Sequence, residues 1–163
     1  PHRGIGPMSY LKSVLDYVTR QRLDPSVDRA KAKRAVEDAW GLVEADRSPT
    51  QFHSSSYDWT QWRKQLQRVL DGLPATELEW GPMMAEARAL GFGESMVRNA
   101  KIEEFTLLIR RVVADCVLTA EEQEKLESAR RLLALTADEA ELISQGVVKE
   151  AVQFFGKPLR DET

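Results

Sequence analysis

The residues able to do chemistry in this 163-residue chain are few, and their spacing limits what they can do. Nucleophilic catalysis requires a base beside a nucleophile, and the histidines are His2 and His53 alone. His53 adjoins Ser54, Ser55 and Ser56 and lies near Asp58, but neighbours in a polar loop do not hold triad geometry, so no catalytic residue is assigned. The single cysteine, Cys116, excludes an intrachain disulfide and a cysteine-based zinc site within one chain. It falls where a helical stretch ends and reads as a small buried side chain. Gly91-Phe92-Gly93 lacks the further glycine and lysine of a phosphate loop and follows no strand, so it reads as a turn. Trp40, Trp59, Trp62 and Trp80 could stack on bases or ligands. Trp59 and Trp62, however, share a helical face with Leu66 and Val69, which favours core packing.

Two charged groups remain. Asp115, Glu121, Glu122 and Glu124 crowd one helix start, and oxygen ligands at a turn are what hard cations require. Aligned on an EF-hand loop, Asp115, Leu118 and Glu122 take the fifth, eighth and twelfth places, with Cys116 where the turn glycine belongs. A divalent cation held by Asp115 and Glu122 is thus the one cofactor the residues suggest, against the alternative that they complement a helix N-terminus. The second group is basic. Residues 1–34 hold 8 Lys or Arg against 3 Asp, net +5, on a chain whose formal charge is -3 and whose isoelectric point is near 5.5. Arg20, Arg22, Lys31, Lys33 and Arg34 form a candidate docking face for another protein, acidic or membrane-associated. Nucleic acid is the alternative partner, and its affinity would fall steeply with salt. A carboxylate-dependent enzyme built on Glu103 or Glu104 is a third reading; without a base, nucleophile and orienting set, the expectation is a non-enzyme.

The elements that must position these residues are helical. Leu11, Val14, Leu15 and Val18 recur at three and four and predict a helix from Ser9 to about Leu23; Asp24-Pro25 closes it and opens another to about Ala45. Residues 46–58 read as a loop, with Asp58 capping a helix closed by Gly72 and Pro74. Trp80-Gly81-Pro82 is expected to precede a short helix through Leu90. Ile102, Phe105, Leu108, Ile109, Val112 and Val113 predict a central helix from about Ser95 to Asp115. Thr119 with Glu122, and Thr136 with Glu139, have capping-box spacing. They predict helices to about Leu135 and Ser144, followed by a last helix ending at Gly156. The fold class is therefore all-α, a compact bundle of about six to eight helices. Residues 1–7 read as a tag or linker, and 8–163 as one domain with a basic hairpin (8–45) and a main bundle (58–156). No run of about 18 apolar residues could span a membrane, and the lone cysteine suits a reducing cytoplasm.

Over residues 103–143 the chain resembles TerB-like domains, the tellurite-resistance family. The likeness rests on Ala114-Asp115-Cys116, Leu118-Thr119-Ala120-Glu121-Glu122, Leu126, Leu133-Ala134-Leu135-Thr136 and Glu139, about a quarter of the chain. The family shows Ala-Asp-Gly, Leu-Thr followed by Glu, a leucine repeat and Leu-Gly-Leu-Ser, so Cys116 and Ala134 stand where it carries glycine. The resemblance implies an all-helical bundle in a bacterial cytoplasm, a role in stress-response or membrane-associated complexes, and metal binding by acidic residues, of which Asp115 and Glu122 match.

Overall fold

The computed structural model describes residues 11–23, 28–46 and 56–156. The expected tag at 1–7, the Asp24-Pro25 stop and His53 lie outside the described residues. Among the described residues there are seven α-helices and no strand: α1 (Lys12–Leu23), α2 (Arg29–Asp46), α3 (Ser56–Asp71), α4 (Trp80–Ala89), α5 (Glu94–Asp115), α6 (Ala120–Leu132) and α7 (Ala137–Gly156). The all-α bundle is as the periodicities require.

The central helix is α5, which packs against α1, α2, α3, α6 and α7. Phe105, Leu108, Ile109, Val112 and Val113 are buried along it and Ile102 is half-buried. Burying these side chains contributes on the order of 10 kcal/mol before conformational entropy is subtracted. α1 and α2 are not an appendage. Each packs on α5 and α7, and Leu11, Val14, Tyr17, Val36 and Trp40 belong to the same core as the rest. On α3, Trp59 and Trp62 stack at 5.5 Å, Phe92 meets Trp59 edge-on at 4.9 Å, and the Trp62 indole donates to the Met83 carbonyl at 3.0 Å. The two rings are core, as their shared face predicts.

Three boundaries differ from the sequence reading, two for a local reason and one for a tertiary one. α3 starts at Ser56, which puts Asp58 in the first turn instead of at the cap; there its carboxylate still complements the positive helix end. Trp80 opens α4, because Pro82 falls in the first turn, where its missing N–H has no partner to lose. The segment expected as two helices is the single α7. Ala140, Ser144, Val147 and Ala151 are all buried at helical spacing straight through Ser144-Gln145-Gly146. That stripe outweighs the roughly 1 kcal/mol a helix-interior glycine costs, and Ser144 satisfies its hydroxyl on the Ala140 carbonyl at 3.0 Å.

Both threonine boxes are formed. The Thr119 amide donates to the Glu122 carboxylate at 2.9 Å and receives Glu122 N–H on its hydroxyl at 3.1 Å; the corresponding Thr136 and Glu139 distances are 2.8 and 3.0 Å. The Thr136 amide, aided by Arg98, holds the Glu139 carboxyl below its usual 4.5. A carboxylate lowered in the folded state contributes stability above its unfolded value, and that stability is lost as pH falls through the lower folded value. Glu139→Gln keeps the cap without a titrating group. The melting-temperature gap between wild type and this variant is therefore expected to shrink between about pH 6 and pH 3; a constant gap would refute the assignment.

The helix ends are built alike. α4 closes with Gly91 at φ 79, whose N–H donates to the Arg88 carbonyl at 3.0 Å while Phe92 N–H reaches the Ala87 carbonyl at 3.0 Å. α6 closes identically but with Ala134 at φ 58, its N–H on the Arg131 carbonyl and Leu135 N–H on the Arg130 carbonyl, both at 3.1 Å. Left-handed backbone strains an alanine through its Cβ. Ala134 is exposed, so Ala134→Gly removes the strain without emptying the core. A gain of about 0.5 to 1 kcal/mol is expected in urea unfolding.

Candidate functional site

The residues singled out as cation ligands are engaged elsewhere. Asp115 accepts an ion pair from Lys33 at 2.8 Å, a contact that holds the Lys33 ammonium protonated beyond its usual range. Glu122 is committed to the Thr119 amide. Among the described residues no three His, Cys, Asp or Glu side chains gather as metal ligands. In this structure the Lys33 ammonium takes the position facing Asp115. Cys116, also in left-handed backbone at φ 55, is 4% exposed and directs its thiol at the Val113 carbonyl, 3.5 Å away.

The basic residues are divided. Arg20, Lys31 and Arg34 are exposed, and none makes an ion pair among the described residues. Lys33 is paired with Asp115, at the surface. Arg22 lies on α1, and its side chain is outside the described residues. Nearby, burial pushes the Tyr17 hydroxyl up, Cys116 adding to the effect.

Glu103 and Glu104, the carboxylates behind the enzymatic reading, converge on one guanidinium nitrogen of Arg63, at 3.2 and 2.7 Å. Glu104 is 3% exposed and also accepts from the Gln67 amide at 3.2 Å. This cluster ties α3 to α5. The second buried charge of α5, Arg110, lies nearly two turns further on. Its guanidinium sits 5.3 Å from the Trp40 ring centre and donates to Glu150 of α7 at 3.2 Å, and the Trp40 indole donates to that same carboxylate oxygen at 2.7 Å. Glu104 and Arg110 are the buried charged side chains among the described residues.

Between α2 and α3 the surface of α5 is left as an open concavity of about 310 Å³. Trp40 and Gly41 form the α2 side and Gln67 the α3 side, with Leu107, Arg110 and Arg111 beneath. Glu37 stands at one rim. Arg111 pairs with Asp71 of α3 at 2.6 Å, both side chains about half exposed at 55% and 45%. The residues that line this groove come from three helices, and no spacing within one segment brings them together. One clue was available: Arg110 lies one residue after Ile109 and three before Val113, inside an apolar register where a charge must find a partner.

Comparison of the chain with family models, with curated proteins and with solved structures finds no match.

Proposed function

We propose that this chain is a non-catalytic helical interaction module of the TerB-like kind, which docks an acidic segment of a partner protein on the α1–α2 face. The observation that carries the reading is backbone geometry. Cys116 and Ala134, the two positions where that family's motif has glycine, both take left-handed φ, at 55 and 58, each just before a threonine-led helix start. That conformation is the physical reason a glycine is used there. A stress-response setting in a bacterial cytoplasm, with a partner in a membrane-associated complex, follows from the resemblance. No helix among the described residues is long and apolar enough to cross a membrane.

The partner surface is drawn from Arg20 on α1 and Lys31 and Arg34 on α2, exposed cations that make no ion pair among the described residues. A short acidic peptide suits so few cations. A duplex, with a charge per about 1.7 Å of axis, would run past it onto a body whose residues 35–109 hold 7 Lys or Arg against 12 Asp or Glu. Fluorescence anisotropy with a labelled polyglutamate peptide, a DNA duplex and an RNA hairpin tests this. Peptide binding that weakens about tenfold or more in the triple variant Arg20→Glu, Lys31→Glu, Arg34→Glu is expected. Equal affinity of the variant, or nucleic acid bound more tightly than the peptide, overturns the reading.

A further inference from the structure

The groove between α2 and α3 carries its own chemistry. Its lining charges are Glu37 from α2 and Arg110 and Arg111 from α5. Arg110 is already met by Glu150 and the Trp40 ring, which leaves one carboxylate and one guanidinium to face an occupant. Their present partners are exposed and easily exchanged. Lys33 stands 3.9 Å from Glu37 but only 2.8 Å from Asp115, and the Arg111–Asp71 pair is open to solvent on both sides. Leu107 and Ala114 supply apolar surface in the same groove.

From this complementarity the geometry points to a ligand site for a small zwitterion with a short aliphatic body, an amino acid or dipeptide: ammonium toward Glu37, carboxylate toward Arg111, side chain over Leu107. A simple anion would leave Glu37 without a partner, and a simple cation would meet Arg111 with like charge. About 310 Å³ lies at the lower end of the range of small-molecule sites, which suits a ligand of this size. Gly41 adds a second observation. It sits inside α2, where glycine lowers helix stability, and a Cβ built there meets nothing within 4 Å, so the fold itself does not require glycine. Gly146 has the same freedom on the solvent side of α7, but Gly41 borders the concavity, where a missing side chain lets a ligand lie against the helix backbone. Gln67, its amide nitrogen held by Glu104, provides a fixed wall opposite.

Titration of the full ¹⁵N-labelled chain with glycyl-leucine, followed at the Gly41 amide and the Trp40 indole, tests the site, with pentylamine and hexanoate as singly charged counterparts. Saturable shifts at both signals are expected for the dipeptide, with about tenfold or weaker binding of the two counterparts. Gly41→Leu fills open space, so its melting temperature should hold while dipeptide binding weakens about tenfold or more. Arg111→Gln should weaken the dipeptide by a similar factor and leave pentylamine binding unchanged. Absence of saturable shifts up to about 10 mM, hexanoate binding as tightly as the dipeptide, or undiminished binding by a folded Gly41→Leu variant overturns the proposal.

Discussion

Ile109→Asp is expected to abolish the cooperative thermal transition of this protein. Ile109 is fully buried at the middle of α5, the helix on which five others pack. Truncating such a residue alone costs about 2 to 5 kcal/mol, and an unpaired carboxylate in its place adds the cost of desolvating a charge. The sum is comparable to the whole stability of an ordinary domain. Ile109→Val, by contrast, removes one methylene and should cost about 1 kcal/mol with cooperativity retained. Circular dichroism melts of both variants check the pair; a sharp transition in Ile109→Asp within a few degrees of wild type would mean that α5 is not the centre of the core.

The second large effect concerns the buried carboxylate. Arg63→Met removes the guanidinium that lies 5.7 Å from the Trp59 ring centre and leaves Glu104, 3% exposed, with the Gln67 amide alone. Removing one partner of a buried pair costs about 3 to 5 kcal/mol, because the remaining charge has neither water nor counter-ion. Arg63 retains some solvent contact, which places the expectation near the lower end, about 3 kcal/mol in urea unfolding. Adding Glu104→Leu should restore most of that loss, since an apolar pair of similar volume carries no desolvation cost. A single variant within about 0.5 kcal/mol of wild type would show that the cluster holds nothing together.

The fold was largely legible because its strongest determinants are periodic. Phe105, Ile109, Val112 and Val113 mark α5 by spacing alone, and Thr119/Glu122 and Thr136/Glu139 mark two helix starts by a chemistry that needs only four residues. What spacing could not convey was competition between local and tertiary effects. Ser144-Gln145-Gly146 is locally a break, yet Val147 and Ala151 continue the buried stripe of Ala140 and the helix runs on. Ala134 carries no turn residue's signature, yet it adopts the conformation that Gly91 adopts at the end of α4. The groove was the least legible feature. It depends on Trp40, Gln67 and Arg111, which lie on three separate helices and whose meeting no pattern within one segment encodes. The acidic cluster shows the reverse: Asp115 and Glu122 are close in sequence, but one is claimed by Lys33 and the other by its own helix end.

The paired threonine boxes set a phase relation along the chain. α6 is clamped at its start by Thr119 and handed over through Ala134 to Thr136, so the direction in which α7 leaves is tied to the number of residues between the clamps. Inserting one residue in α6 would turn the downstream clamp by about 100° and advance it about 1.5 Å, swinging α7 off α5. Inserting seven residues, close to two full turns, would bring the clamp back to nearly its original azimuth about 10.5 Å further out.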